Sequence, residues 1–398
     1  MKRVGIPPKA LIILADLLSD LGNQFVGFTL LDLLFFKGDK GLSNLLVMCL
    51  IEQAPSVCLS PLAGLWIDRV GARTWLTMVN LNRCLLVGAL AFVSSHCLVF
   101  SLYLFLIIGS LFFYIGRLSL VPLLIPKDEL IPFNAVNERV SLAGRVFGPL
   151  VISFVVLEAF PAVSLAFGGL LFMLSACSVW SLPYIVSGAK RPVHGLLHNQ
   201  GLRMLAAKYT EPFRGNPKLK TCFITFGFVL AGGGVLHLGL PVFCKTQLGK
   251  DIADWGLLLS AFQVGACVST FLLARCGSTI QRRTLMTFIL LILAGAVASL
   301  SQLRSLVPIA LLMSLLGCGF TFMHVFLESL IQQYSPRASI GKTISVLSTY
   351  RGLCYLGSIF GSAMVLKMWS PQSLLFTTSA LMLSACLVAR ERISLFDR

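Results

Sequence analysis

The stretch "PLAGLWIDRVGART", residues 61–74, decides the fold of this chain because it interrupts two long apolar runs. Glycines and charges are concentrated in it, at Gly64, Asp68, Arg69, Gly71 and Arg73. Gly71 can adopt a left-handed turn conformation that reverses the chain within a few residues. Two apolar runs joined by so short a polar turn indicate two neighbouring helices that cross a membrane.

The composition of the whole chain agrees with that interpretation. Hydrophobic residues make up 57% and charged residues 12% of the 398 residues, whereas a soluble globular protein carries about 25% charged residues. A bilayer core of about 30 Å needs about 20 apolar helical residues, and the unbroken apolar runs exclude the alternation of a barrel strand. The sequence therefore predicts an all-α membrane protein.

The amino-terminal stretch "MKRVGIPPKALIILADLL" has a basic start and an apolar run, as a signal peptide does. The run contains Asp16 and Asp20, continues to Phe36 and lacks a small-residue cleavage site, so we interpret it as the first spanning helix. Apolar runs begin near residues 10, 41, 75, 98, 134, 162, 218, 253, 285, 305, 340 and 371. They predict twelve transmembrane helices.

The basic residues are divided unevenly between the two sides of such a bundle. If both termini lie on one side, 26 of the 32 lysines and arginines fall there, among them Arg83, Arg117 and Arg351. The other six are Lys37, Lys40, Lys245, Lys250, Arg304 and Lys367. Because basic loops stay in the cytoplasm, we expect both termini there and the protein in the cytoplasmic (inner) membrane. The net charge of +16 is spread over every loop, so it favours lipid contacts and excludes nucleic acid binding.

The longest polar segment, residues 187–220, divides the twelve runs into six and six. We predict a six-helix bundle over residues 1–186, a cytoplasmic linker over 187–217 and a second six-helix bundle over 218–398. Apolar linker residues can share one face of a short helix on the membrane surface, and an irregular linker is the alternative.

Each half has a short polar turn between its second and third runs, "DRVGART" and "RCGSTIQRRT". This correspondence indicates a duplicated unit. Secondary transporters built from repeats bind substrate near the bilayer midplane and rock one half against the other. We therefore expect a water-filled pocket between the two bundles, with the acidic side chains of the first two helices facing it.

The opening stretch resembles the GxxxDRxGxR signature of the major facilitator superfamily, at Gly64, Asp68, Arg69, Gly71 and Arg73. "LSDLGNQF" in the first helix is similar to the drug and siderophore exporter branch, the macrolide-efflux and enterobactin-exporter-like proteins. "LLIPKDELIPFNAVNERVSLAGRVFGP" resembles that branch too and ends in an antiporter-like GxxxGP at Gly144, Gly148 and Pro149. The resemblance covers essentially the whole chain and implies the major facilitator fold and a drug or siderophore antiporter.

The signature turn is a candidate latch between two conformations. Asp68, just beyond the second helix, can accept hydrogen bonds from the first amides of an adjacent helix. Arg69 and Arg73 can bind carboxylates or lipid phosphates. Contacts worth about 1–3 kcal/mol shift a two-state equilibrium and still leave both conformations populated. The alternative is an ordinary basic turn on the cytoplasmic side.

Acidic residues inside the first helix are candidate carriers of a coupling proton. A carboxylate at a helix centre costs about 2.5–3.5 kcal/mol, so it requires a partner or a function. Asp16 and Asp20 share one face of the helix, and Asn23 and Gln24 extend the polar stripe. A buried carboxyl group favours its protonated form, which suits a proton carrier.

Glu52, Asp32 and Glu158 are further acidic residues of the first half that the helix pattern places within or near spans. Glu52, beside Gln53, falls near the middle of the second helix and is either a proton carrier or a structural hydrogen-bonding residue. Asp32 and Glu158 lie near the outer ends of their helices, where we expect them to face water.

The second half contributes a further set of polar candidates. His324 and Glu328 are four residues apart on the tenth helix, where they either pass a proton near neutral pH or are simply solvated. His237 and Gln263 are expected to line the same cavity. His237 follows three glycines, Gly232–Gly234, which form either a gating bend or a close-packing site.

The motifs of other functional classes are missing from the sequence. It contains no P-loop GxxxxGK[ST], no GxSxG and no HExxH, so neither ATP-driven transport nor enzyme activity is indicated. The twelve cysteines form no CxxC and no Cys/His cluster, so we expect buried free thiols, no metal and no cofactor.

The combined features predict a monomeric secondary active transporter that exports an amphipathic small molecule, such as a drug or siderophore, in exchange for protons. An importer or a lysophospholipid flippase of the same fold is the alternative. A non-transporting receptor or scaffold would not need carboxylates inside the membrane.

Overall fold

The computed structural model of the chain describes residues 7–38, 41–126, 129–158, 161–183, 216–276, 282–335 and 340–392. Within these ranges the chain is helical and contains no strand. The α-helices there, numbered in chain order, are α1 Pro8–Leu31, α2 Gly41–Val70, α3 Ala72–Leu90, α4 His96–Leu124, α5 Leu130–Glu158, α6 Pro161–Trp180, α7 Pro217–Gln247, α8 Ile252–Cys276, α9 Arg282–Leu300, α10 Leu306–Tyr334, α11 Ile340–Met368 and α12 Gln372–Arg392.

The predicted all-α fold with twelve helices is confirmed, and each helix begins within four residues of its predicted start. Eight of the described helices are long and apolar enough to cross a membrane. Arg83, Arg145 and Arg351 lie inside α3, α5 and α11. Charged residues inside membrane-spanning helices are candidates for a role in transport, because burying them is costly.

Helix packing divides the chain into two compact units, residues 1–194 and 195–398. In the first unit α1 packs against α5 and α6, α3 packs against α4 and α6, and α2 packs against α4. The second unit repeats these pairs with each helix number raised by six: α7 with α11 and α12, α9 with α10 and α12, and α8 with α10. The repeated pairing supports the duplicated unit inferred from the two short turns.

Parts of some predicted features lie outside the described residues. The predicted linker and its surface helix fall almost wholly within residues 184–215, and the second polar turn includes residues 277–281, neither of which is described. The side chain of Glu158 is likewise outside the described part of the chain.

The turn of the opening stretch is formed by Gly71 alone, because α2 ends at Val70 and α3 begins at Ala72. The φ angle of Gly71 is +89°, which side chains with a Cβ rarely adopt. The predicted glycine turn is confirmed. Asp68 lies in the last turn of α2 and not beyond the helix, because the helical conformation continues up to the glycine.

Helix α1 is extended by a five-residue π-helix, Asp32–Phe36, in which the N–H of Lys37 donates to the carbonyl of Asp32 at 2.8 Å. The expectation that Asp32 faces water is wrong, because only 2% of it is exposed. Its carboxylate lies 2.6 Å from the Nζ of Lys37. Asn44 at the start of α2 donates to the carbonyl of Leu34 at 2.9 Å and ties the π-helix to the next span.

The three glycines of α7, Gly232–Gly234, lie within a helix that continues to Gln247. A Cβ on Gly232 would collide with Met382 of α12, and a Cβ on Gly234 would collide with Ser358 of α11. Of the two alternatives for these glycines, the structure supports close packing of helices.

Candidate functional site

The polar stripe of α1 begins with a buried ion pair inside the first unit. The Oδ2 atom of Asp16 lies 2.5 Å from Nη1 of Arg117 on α4. The same oxygen accepts a hydrogen bond from Nδ2 of Asn137 on α5 at 2.9 Å. The carboxylate therefore joins α1 to α4 and α5, and it binds the guanidinium most strongly while it is ionised.

Asp20, one turn further along α1, has a neutral direct partner. Its Oδ2 atom accepts a hydrogen bond from Oγ of Ser141 on α5 at 3.0 Å. The charges of Asp16, Arg117 and Arg145 act on it at longer range. A proton can therefore be added to Asp20 without separating a contacting ion pair.

Asn23 continues the stripe towards Arg83 on α3. Arg83 is 0% exposed and lies among the helices of the first unit, so its charge is not that of a loop residue. Its guanidinium donates to Oδ1 of Asn23 and, at 2.8 Å, to Oγ of Ser19. Arg83 follows the first residue of α3, Ala72, by eleven positions, which places it about 16 Å along the helix and away from any loop.

A groove of about 520 Å³ lies between α1 and α5. Apolar side chains from both helices line it, among them Leu17, Leu21, Phe25, Phe147 and Val151. Arg139, which is exposed, also borders the groove, although the surface that lines it is almost entirely apolar. A volume of this size accommodates a small molecule, and apolar walls with a cation suit an amphipathic one.

The antiporter-like glycines of α5 determine how closely α5 approaches α1. A Cβ on Gly144 would come within 2.8 Å of Leu17, and a Cβ on Gly148 would collide with the side-chain amide of Gln24. Helix α5 continues through Pro149 without a break. The Oε1 atom of Gln24 is buried and accepts no hydrogen bond within the described residues. Small residues at these positions permit the close contact of the two helices.

Glu52 connects α2 to α4. Its Oε1 atom accepts a hydrogen bond from the hydroxyl group of the buried Tyr103 at 2.7 Å. Of the two alternatives for Glu52, this interhelical hydrogen bond is present, whereas proton carriage stays a prediction. The neighbouring Gln53 is half-buried, and its carbonyl accepts a hydrogen bond from Ser56.

In the second unit, the predicted pair of α10 is joined by an arginine. Nε2 of His324 lies 3.8 Å from Oε2 of Glu328, and the same oxygen lies 3.4 Å from Nη2 of Arg351 on α11. The ring of His324 meets Phe226 of α7 edge-on, with 5.1 Å between the centroids. Arg351 lies within the helix predicted to start near residue 340, and the structure brings it beside this pair.

Two other candidates of the second unit differ in burial. His237 of α7 is exposed, and Gln263 of α8 is half-buried. Their contribution to a shared cavity stays a prediction.

Arg73, in the first turn of α3, binds the end of α6. Its Nη2 atom donates to the carbonyl of Trp180, and its guanidinium lies 4.9 Å from the centroid of the Trp180 ring. A cation at this position is favoured because Trp180 ends α6, where the helix dipole is negative. The side chains of Asp68 and Arg69 and the surroundings of Gly64 lie outside the described part of the chain, so the latch stays a prediction.

Sequence reasoning missed four polar residues that complete these contacts. The sequence pattern assigns Arg83 and Arg117 only to one side of the membrane, and it does not single out Asn137 or Ser141. The available signal was spacing, because Asn137 and Ser141 are four residues apart on α5, as Asp16 and Asp20 are on α1.

In the part of the chain that the structure describes, no three His, Cys, Asp or Glu side chains are placed to hold a metal ion. The cysteines described there are free thiols. Carboxylates, arginines and amides at the site form ion pairs and hydrogen bonds, and its carboxylates can also bind protons.

The sequence pattern of the Major Facilitator Superfamily matches residues 12–362. The chain belongs to the major facilitator superfamily. Membership makes this integral membrane protein a transporter of a small molecule and not an enzyme. No curated protein matches the sequence of this superfamily member.

Solved transporters share the fold of this superfamily member. The nucleoside transporter NupG is 16% identical with a TM-score of 0.71, and the alignment covers 99% of this chain and 100% of that one. A POT family transporter in complex with a thioalcohol-conjugated peptide is 11% identical, with a TM-score of 0.75 and coverage of 98% and 96%. A bacterial homologue of the iron transporter ferroportin, in an inward-facing state, is 17% identical, with a TM-score of 0.69 and coverage of 97% and 98%. At such identities the likeness establishes the major facilitator fold and leaves the substrate open.

Proposed function

We propose that this transporter exports an amphipathic small molecule, such as a drug or siderophore, in exchange for protons by alternating access. The observation that carries the proposal is the buried pair of Asp16 and Arg117. A proton on Asp16 would neutralise the partner of Arg117 and weaken the contact between α1 and α4. Loss of the proton would restore that contact, so proton binding is linked to helix packing.

Asp20 is the second proton site of the proposed cycle. Its direct partner, Ser141, is neutral, so protonation separates no contacting pair of charges. In the proposed cycle a carboxyl group of α1 takes a proton from outside, the transporter opens inward as the proton leaves, and substrate is bound on the return.

The groove between α1 and α5 supports an amphipathic substrate. Leu17, Phe25 and Phe147 offer apolar contact, and Arg139 is the charged residue among those that line the groove. Pockets that combine apolar walls with few polar groups bind small organic molecules in a fixed orientation.

The proposed orientation places both termini in the cytoplasm of a monomeric protein in the inner membrane. The uneven distribution of lysines and arginines supports this orientation. Lipid headgroups would then contact the basic loops on the cytoplasmic side.

A lysophospholipid flippase or an importer of the same fold is the second candidate. The specific observation in favour of the flippase is the same groove, because an acyl chain would fit its apolar walls and an acidic headgroup would pair with Arg139.

Reconstitution into liposomes tests both candidates. A pH gradient is imposed, and uptake of labelled drugs, siderophores and lysophospholipids is compared for the wild type, Asp16→Asn and Asp20→Asn. We expect gradient-driven movement of a drug or siderophore that both variants lose and that Arg304→Gln, an exposed control, keeps. Transport that ignores both the gradient and the two substitutions would overturn proton coupling, and movement of lysophospholipid alone would establish the flippase.

A further inference from the structure

Arg83 lies inside the first unit and takes no part in the proton sites proposed above. It is 0% exposed, and its Nε atom is buried without a hydrogen-bond partner in the described residues. Removing an ion from water costs several kcal/mol even in a relaxed protein interior. A fold that keeps such a residue must stabilise its charge.

The surrounding helices are shaped to hold the guanidinium. Cζ of Arg83 lies 3.8 Å from the ring centroid of Phe172 on α6. A Cβ on Gly22 of α1 would come within 2.8 Å of that ring, and a Cβ on Gly109 of α4 would come within 2.8 Å of Cγ of Arg83. Glycines at these two positions therefore leave the space that the stacked arginine occupies.

The hydrogen-bond partners of the guanidinium are all neutral. They are Ser19 at 2.8 Å, Asn80 at 2.8 Å, Ser110 at 3.1 Å and Asn23. Within the described residues no carboxylate lies at ion-pair distance from Arg83. Neutral oxygens satisfy the donors of a guanidinium, but they do not balance its charge.

Asp20 is the acidic residue whose charge acts on Arg83. Ser19 and Asn23, which bind the guanidinium, flank Asp20 on α1, one residue before it and three residues after it. The contacts of Arg83 therefore fix the segment of α1 that carries Asp20, while the carboxyl group of Asp20 meets Ser141. Asp16 of α1, Arg117 of α4 and Arg145 of α5 also act on Asp20.

We propose that Arg83 is a positioning residue for transport, which balances the charge of Asp20 across neutral oxygens and holds its segment of α1 in place. This role rests on the proposed function, because that function makes Asp20 a proton carrier. While Arg83 is charged, the negative charge of an ionised Asp20 offsets the positive charge of Arg83. A proton on Asp20 leaves the buried cation without a balancing negative charge.

A double-mutant cycle on thermal stability tests this pairing without any substrate. The full-length protein is purified in detergent, and Arg83→Gln is expected to lower the unfolding midpoint by about 5 °C or more. Adding Asp20→Asn is expected to recover at least half of that loss, because both charges are then removed. Asp16→Asn is expected to recover none, because its partner is Arg117, and Arg304→Gln is the exposed control. Additive losses for Arg83→Gln and Asp20→Asn would overturn the pairing.

Arg83→Lys keeps the cycle informative if Arg83→Gln fails to fold. Lysine retains the charge without the forked donors of arginine. Asp20→Asn is then expected to lower the midpoint of Arg83→Lys further, because the remaining cation loses its balance. An unchanged or higher midpoint would count against the pairing.

Carbodiimide labelling measures the protonated fraction of Asp20, which should not change if Arg83 has only a structural role. Dicyclohexylcarbodiimide reacts with protonated carboxyl groups in apolar surroundings, and mass spectrometry measures the labelled fraction of Asp20. We expect Arg83→Gln to raise this fraction several-fold at neutral pH and Arg83→Lys to leave it near the wild-type value. Equal labelling in all three proteins would overturn the role of Arg83.

The proposed transport function and the role of Arg83 are tested by different outcomes. A non-additive cycle, together with transport that ignores the pH gradient, would overturn the proposed function and still support the pairing of Arg83 with Asp20. An additive cycle together with gradient-driven transport would overturn only the role of Arg83.

Discussion

The polar networks of the two units use corresponding helices but differ in burial and in the placement of charge. In the first unit Arg117 of α4 pairs at 2.5 Å with Asp16, and the side chains are 18% and 10% exposed. In the second unit Glu328 of α10 pairs at 3.4 Å with Arg351, and the side chains are 34% and 38% exposed. Helix pairing makes α4 and α10 equivalent, so equivalent helices carry opposite charges.

Because of this difference, we expect the two networks to contribute unequally to the free energy of unfolding. A short, buried pair leaves an uncompensated charge when one partner is removed, whereas a longer and partly exposed pair is screened by water. We therefore expect proton-dependent changes to be controlled mainly by the first unit. The second unit then contributes a weaker contact that is easily made and broken.

Removal of one charge from the first network should have the largest effect on stability. Arg117→Gln leaves the carboxylate of Asp16 buried beside Asn137, and we expect a loss of about 3–5 kcal/mol of unfolding free energy. Denaturant unfolding of the purified protein in detergent measures this loss. Adding Asp16→Asn should recover much of it, and a single-variant loss below that of Glu328→Gln would contradict the comparison.

Glycine packing should be important in both units, whatever their networks. Gly148→Ala would overlap Gln24, and Gly234→Ala would overlap Ser358, so each should cost about 1–3 kcal/mol in the same unfolding assay. Gly88→Ala is the matched control, because a Cβ there would meet no atom within 4 Å. Equal results for all three substitutions would show that helix spacing is not set by these glycines.

The hydrogen bond between Tyr103 and Glu52 should have a smaller effect. Tyr103→Phe removes the donor, and we expect a loss of about 1 kcal/mol with gradient-driven transport unchanged. Glu52→Gln should give a similar loss and keep transport if the residue is structural. Loss of gradient-driven transport in Glu52→Gln alone would instead identify Glu52 as a proton carrier.

The smallest effect is expected in the network of the second unit. Glu328→Gln should cost less than about 1 kcal/mol, because its partners His324 and Arg351 are partly exposed and screened. The difference from the wild type should shrink further at high salt. A loss as large as that of Arg117→Gln, independent of salt, would show that the two networks are energetically alike.

Helix positions and one turn could be predicted from the sequence because both depend on local chemistry. An apolar run of membrane length specifies a spanning helix wherever its neighbours pack. Gly71 could be predicted as the turn because its φ angle of +89° is one that residues with a Cβ avoid. The pair of His324 and Glu328 was accessible for the same reason, since spacing on one helix places them together.

The partners of the buried arginines could not be predicted, because they come from distant parts of the chain. Arg117 is separated from Asp16 by 101 residues, and Arg83 is separated from Ser19 by 64. Counting positive charges for orientation treats every arginine as a loop residue, so it cannot recognise one that satisfies its donors inside a bundle. Asp32 was misplaced for a related reason, because burial beneath Lys37 depends on a π-helix that hydropathy does not reveal.

The π-helix at the end of α1 makes the number of residues there a constraint. Hydrogen bonding from Lys37 back to Asp32 spans five positions, which stacks the ammonium group above the acid. In ordinary α-helical winding with the same number of residues, Lys37 would lie about 140° around the helix from Asp32, because each residue turns the chain by about 100°. The buried acid therefore keeps its cation only while this segment keeps its π-helical winding, and a change that restores α-helical winding without shortening the chain should separate the two charges.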